Sequence, residues 1–211
     1  PRGYEIVRKN GMAVAELTDP IAAFFNPRMG WMYVHMVNAA VISVALFVGG
    51  IAAYIVWRRR ESTAWRTALR LAVVLLLVSA PLQAAHGDAY ARHVEDTQPQ
   101  KFAAMEGHYE TGQADLHLIA VPKEPEALTD PRAENLYTVS VPGVASFLAS
   151  GGDFDAEVTG LNAYEENPPV ALVFWSFRLM VGLGFLFIGL ALWGGRLVYS
   201  GRVAESDRFL K

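Results

Sequence analysis

Val173-Phe174-Trp175-Ser176-Phe177-Arg178-Leu179-Met180-Val181-Gly182-Leu183-Gly184 sits inside the last long apolar run of this chain, Asn167 to Ser200. Such a run predicts a helix that crosses a membrane, because a hydrocarbon core of about 30 Å takes about 20 apolar residues. An arginine within it is costly unless something anionic compensates the charge. A thioether is a soft ligand, and methionine is a known axial ligand of haem iron. Gly182 and Gly184 leave room for a flat body to approach the backbone. A lone methionine in an apolar helix is ordinarily packing; the nearby Arg178 is what makes Met180 a ligand candidate.

Two more apolar runs precede this one. The chain has 211 residues, 53% of them hydrophobic and 18% charged, and segregation into three runs marks a membrane protein rather than a soluble core. There is no cysteine, so disulfides, iron–sulfur clusters and thiolate zinc sites are excluded. The sequence begins at Pro1 with no signal-peptide pattern, which suggests a piece of a longer polypeptide.

The positive-inside rule orients the runs. Residues 1–30 read as an extracytoplasmic, interfacial lead-in, with Phe24, Phe25 and Met29 approaching the bilayer. The first transmembrane helix is 31–57, followed by a short arginine-rich loop, 58–68, on the cytoplasmic side. The second is 69–86, and 87–167 is a long extracytoplasmic loop. The third is 168–199, and 200–211 is a cytoplasmic tail containing Arg202, Arg208 and Lys211. The long loop holds fifteen acidic residues against four basic ones, consistent with an outer location but not decisive, since acids do little to set topology. The fold class is all-α transmembrane: three membrane helices and a largely irregular outer loop with short helices.

Two further features carry chemistry. His35 lies about one turn inside the first span. It is either a haem ligand or an interfacial histidine bonded to a neighbouring helix. Because the third run exceeds the bilayer thickness, its first turns protrude or tilt, and Met180 could come level with His35. That would permit His–Met ligation of one iron, with Arg178 pairing a propionate. In Gln98-Pro99-Gln100-Lys101-Phe102-Ala103-Ala104-Met105-Glu106-Gly107, Pro99 suits the start of a short helix and Gly107 its end. Lys101 and Glu106 would then be either ordinary solvated charges or the anchor and proton acceptor for a substrate that loses protons on oxidation. His86-Gly87-Asp88 is a weaker polar cluster at the mouth of the second span.

Taken together, these stretches closely resemble the middle of subunit I of cytochrome bd-type quinol oxidases, with order and spacing intact over essentially the whole chain. The resemblance implies that His35 and Met180 are the axial ligands of a low-spin haem b, beside which Arg178 sits. It implies that Lys101 and Glu106 belong to the quinol-binding loop, here of modest length. Ubiquinol or menaquinol would be the donor. The remaining helices of subunit I, subunit II, small accessory subunits and membrane lipid would be the partners, with no nucleic acid involved. The location would be a bacterial or archaeal cytoplasmic membrane. The high-spin haem b and the haem d or b of the oxygen site would be ligated outside this chain, because no stretch here matches the family's oxygen-site helices or its Gly-Arg-Gln-Pro-Trp motif. This chain would therefore be the electron-input part of a quinol:oxygen oxidoreductase. Two other readings compete. One is a membrane anchor or assembly module that binds no haem. The other, a bis-histidine cytochrome b, is disfavoured because His35 is the only histidine well within a span.

Overall fold

The computed structural model describes every residue except Pro1, Asn10, Glu61, 124–133 and Glu166. The loop charges Glu124, Glu126, Asp130, Arg132 and Glu166 therefore lie outside the described residues. A hairpin comes first, with β1 (Tyr4–Lys9) antiparallel to β2 (Met12–Leu17). A short helix α1 (Pro20–Phe24) follows, its first amides capped by the Asp19 carboxylate at 3.0 Å from Ile21 N and from Ala22 N.

Three helices are long and apolar enough to cross a membrane: α2 (Met29–Arg58), α3 (Thr63–Thr97) and α6 (Val170–Tyr199). Helix α3 packs against both of the others. Ile42 of α2, Leu76 and Ala80 of α3 and Ala191 of α6 are buried together. Further along, Ala52, Val56, Leu69 and Val73 enclose Val203, Ala204 and Leu210, which docks the last short helix α7 (Asp207–Leu210). Gly194 permits this approach, since a Cβ there would lie 2.7 Å from Phe209 Cζ and 3.0 Å from Val73 Cγ1.

Helix α3 does not stop where its apolar run ends. Its 35 residues make a rod of about 52 Å, well beyond the hydrocarbon thickness. The polar extension keeps an apolar stripe through Tyr90 and Val94, and that stripe packs against Phe102, Met105 and Phe177. The helix ends at Thr97 because Pro99 disfavours helical geometry at Gln98, which sits at φ −147°. Within the membrane portion, Pro81 has no N–H to give to the Leu77 carbonyl. Here α3 is bonded across to α2: Asn38 Nδ2 donates to Ser79 O at 2.9 Å and to Gln83 Oε1 at 2.7 Å.

The segment between α3 and α6 contains the expected short helices and, in addition, short strands. Helix α4 (Pro99–Glu106) takes Pro99 at its first turn and ends at Gly107, left-handed at φ +64°. Strand β3 (Gly112–Gln113) pairs with β6 (Glu157–Val158), and β4 (Leu116–Pro122) with β5 (Asn135–Val141). Helix α5 (Val144–Ser150) lies between β5 and β6, with Ser146 Oγ accepting from Ala114 N and donating to Ala156 O. Val94, Phe102, Met105, Ala114, Ala145 and Val158 form one core, seated on the ends of α3 and α6.

Candidate functional site

Residues 102 to 109 are all buried, but Lys101, one position earlier, is exposed. The spacing explains the contrast. Residues five apart on a helix point about 140° away from each other, so Lys101 and Glu106 cannot share a face. Glu106, 4% exposed, closes α4 and points into the protein. A carboxylate at a helix C-terminus meets the negative end of the dipole and gains nothing there. Its compensation comes from α6: Arg178 Nη2 donates to Glu106 Oε2 at 2.5 Å. Arg178 Nε donates to the His117 carbonyl on β4, also at 2.5 Å. The guanidinium lies 4.9 Å from the Phe174 ring centre and 5.4 Å from that of Phe177, flanked by aromatic faces.

This pair is almost dry, with side chains 10% and 6% exposed. Burial pushes the Glu106 carboxyl above the ordinary carboxylate range, and the Arg178 charge and hydrogen bond offset only part of that push. Two histidines lie in the same loop fold. His117 Nδ1 is 2.7 Å from Ser140 Oγ, and His108 Nε2 is 3.2 Å from the Val158 carbonyl, to which it donates. Burial holds both imidazoles below their usual range.

His35 and Met180 lie outside that pair's hydrogen bonds. His35 faces the end of α3. Its ring centre is 5.7 Å from that of His86 and 6.0 Å from that of Tyr90, and a Cβ on Gly87 would be 3.4 Å from His35 Cε1. Trp31 and His93 continue the ring cluster, 5.5 Å apart and nearly parallel. The His35 Nδ1 is buried without a hydrogen-bond partner, which asks for an explanation such as a ligand. Met180 is 50% exposed, and a Cβ on Gly182 or Gly184 would meet nothing within 4 Å. An unpartnered imidazole nitrogen, an accessible thioether and two bare glycine faces fit a haem with one nitrogen and one sulfur ligand. No group of three or more His, Cys, Asp or Glu suited to a metal ion occurs among the described residues. A haem with two protein ligands does not need one.

The family model for cytochrome bd terminal oxidase subunit I matches residues 1–210. The chain belongs to the cytochrome bd oxidase subunit I family. A Bacillus subtilis (strain 168) protein assigned as a cytochrome bd menaquinol oxidase subunit I is 34% identical over 216 residues, covering 99% of this chain and 45% of that protein. The cytochrome bd ubiquinol oxidase subunit 1 of the same organism is 30% identical over 223 residues, covering 100% of this chain and 46% of that one. The structure of the bd oxidase from Geobacillus thermodenitrificans superposes with a TM-score of 0.80 at 29% identity, covering all of this chain and 46% of that chain. The chain thus spans slightly under half the length of the relatives it matches.

Among the residues singled out by sequence, the structure joins Arg178 to Glu106 and leaves Lys101 exposed and apart. Arg178 is bonded to the Glu106 carboxylate and the His117 carbonyl. Sequence reasoning passed over His117, which contributes only its carbonyl and so carries no residue-type signal. It also passed over Asn38 and Gln83, although an amide inside an apolar run is a legible sign of a bond between helices.

Proposed function

We propose that this chain is the electron-input part of a membrane quinol oxidase, with the loop 87–167 as the quinol-binding loop on the extracytoplasmic side. What carries the reading is the buried Arg178–Glu106 pair, which ties the end of α4 to the helix bearing Met180. Quinol oxidation releases two electrons and two protons, so its site needs a proton acceptor next to an electron acceptor. Glu106 suits the first role. A carboxyl whose affinity for a proton is raised by burial takes one up more readily than an exposed carboxyl does. Arg178 holds that carboxyl in place and keeps its charged form available inside an apolar shell. Lys101 is free to anchor a quinol oxygen from the exposed side of α4.

His35 from α2 and Met180 from α6 would hold the low-spin haem b, which when bound accepts electrons one at a time and hands them on. A His–Met pair favours a higher potential than two histidines. The oxygen-reducing haems, high-spin haem b and haem d or b, would be held by parts of subunit I outside this chain. Ubiquinol or menaquinol would be the donor; subunit II, accessory subunits and lipid would complete the assembly. The arginines of 58–68 favour the cytoplasmic side for that loop in a bacterial membrane.

Haem content tests this reading. In the intact complex, His35→Ala should remove one low-spin haem b per complex while the oxygen-site haems stay. Full low-spin content in that variant would return the chain to the competing reading, a membrane module without haem.

A further inference from the structure

The mechanism above leaves unused two part-buried amides, Asn38 and Gln83, between α2 and α3. Both sit inside helices that cross the membrane, where a polar side chain is disfavoured unless it is bonded. The bonds form one connected set. Asn38 Nδ2 donates to the Ser79 carbonyl at 2.9 Å and to Gln83 Oε1 at 2.7 Å. Gln83 Nε2 in turn donates to the His35 carbonyl at 3.1 Å. The direction of every bond is forced. A backbone carbonyl only accepts, so the nitrogen of Asn38 must face Ser79 and that of Gln83 must face His35. The remaining contact then pairs a donor on Asn38 with the oxygen of Gln83.

His35 and Asn38 are one turn apart on α2, and Ser79 and Gln83 one turn apart on α3. The set therefore fixes both the rotation of α2 about its axis and its height against α3, at the turn that carries His35. It does so beside Pro81, where α3 lacks a backbone hydrogen bond, and where Ser79 Oγ donates back to Leu75 O at 2.6 Å. One turn on, the His35 ring meets Gly87, His86 and Tyr90 of the same helix.

We propose that Asn38 and Gln83 are positioning residues for His35: they lock α2 on α3 in the register that aims the imidazole at the haem. The inference rests on the reading of His35 as an axial ligand. Partners beyond a metal's direct ligands typically change metal affinity by about 10–100-fold when mutated, because they fix ligand orientation. Here the lever is the helix backbone, through the His35 carbonyl, rather than a hydrogen bond to the imidazole ring.

The test uses the intact haem-loaded complex with His35→Ala, Gln83→Leu, Gln83→Glu, Asn38→Leu and, as a control on the same helix, Ser43→Ala, whose hydroxyl bonds locally to Ala39 O. The readouts are low-spin haem b per complex, its electron paramagnetic resonance g values and its midpoint potential, alongside thermal stability. His35→Ala loses the low-spin signal. Gln83→Leu and Asn38→Leu are expected to retain haem about tenfold more weakly, with shifted g values and a shifted potential. Gln83→Glu keeps the acceptor for Asn38 but loses the donor to His35, and lands between wild type and Gln83→Leu. Ser43→Ala matches wild type. If Gln83→Leu and Asn38→Leu lower thermal stability but leave haem retention, g values and potential at wild-type levels, the amides only glue the helices and the proposal is overturned. If His35→Ala itself keeps the low-spin signal, the ligand assignment is what fails, and the two failures are told apart.

Discussion

Arg178 and Glu106 form a nearly water-free ion pair, 2.5 Å from nitrogen to oxygen, between the third membrane helix and the short helix of the loop. The same guanidinium also holds the His117 carbonyl. One side chain thus ties a membrane helix to two separate pieces of the long loop, two residues before Met180. The loop fold and α6 are thereby joined through the Arg178 guanidinium.

That arrangement makes Arg178 costly to remove. Arg178→Ala strands the Glu106 carboxyl in an apolar shell and frees the His117 carbonyl. Breaking a buried pair from one side costs about 3–5 kcal/mol, far more than an exposed pair would. Arg178→Lys keeps the charge but loses the fork that serves two acceptors at once, and should recover only part of the loss. Thermal unfolding of the intact complex at neutral pH measures both; an unchanged midpoint for Arg178→Ala would mean that the pair contributes no stability.

Glu106→Gln preserves shape and removes the carboxylate that would accept the proton. Quinol oxidation should slow by roughly 100-fold, within the range that a positioned acid or base supplies, while the haem spectrum stays as in wild type. The pH profile adds a second check. Because burial raises the Glu106 carboxyl, more of it becomes the proton-accepting carboxylate as pH rises through its folded value. Wild-type turnover should climb over that interval and the Glu106→Gln profile should lose the climb. A full-speed Glu106→Gln enzyme would take Glu106 out of the proton path.

Met180→Leu is nearly the same size and equally apolar, so it spares packing and removes only the sulfur. A reduced-minus-oxidised absorption spectrum of the complex should show the low-spin b band shifted or converted to high spin. An unchanged band would return Met180 to a packing role.

His108 and His117 give the loop a pH-dependent stability. Both are held below the 6.5 of a free imidazole, chiefly by burial. The unfolded chain therefore binds more protons than the folded one between the folded values and 6.5. The stability from their neutral forms is fully present above pH 6.5 and is lost as pH falls through the folded values. Protection of β4 and β5 against hydrogen exchange, taken relative to the intrinsic rate at each pH, should fall on acidification below 6.5. His117→Gln and His108→Gln should each flatten that dependence, and identical slopes in all three proteins would exclude the histidines as its cause.

The three membrane helices were legible because a run of apolar residues reports directly on the surrounding solvent. Where α3 continues past that run, the signal fades. From Gly87 to Thr97 the helix is held by a short apolar stripe, Tyr90, Ala91 and Val94, against a loop core the sequence does not announce. Pro99 and Gly107 did mark both ends of α4, since each acts through local backbone geometry. The hairpin β1–β2 had its cue in Asn10-Gly11, a turn dipeptide between two short runs of mixed residues. The Arg178–Glu106 contact was out of reach, because 72 residues separate its partners and only the fold brings them together.

Gly107 joins the local and the long-range parts of the site. It ends α4 directly after Glu106 in the left-handed region, at φ +64°, and a Cβ there would stand 3.3 Å from Phe174 Cδ2. Its carbonyl accepts from Asn135 Nδ2 at 2.8 Å, which fixes the start of β5 to the same turn. Gly107→Ala therefore meets two opposing demands. The left-handed backbone costs a side chain about 1–2 kcal/mol, and the added methyl presses on Phe174, which is fully buried and lies under Arg178. Relief requires moving either the end of α4 or the ring, and both displace the Glu106–Arg178 contact. The expected outcome is a loss of stability of that size together with a raised KM for quinol and an intact haem spectrum. A variant that loses stability but keeps its KM would show that Phe174 yields without moving Glu106, and that the site tolerates a shift at its own helix end.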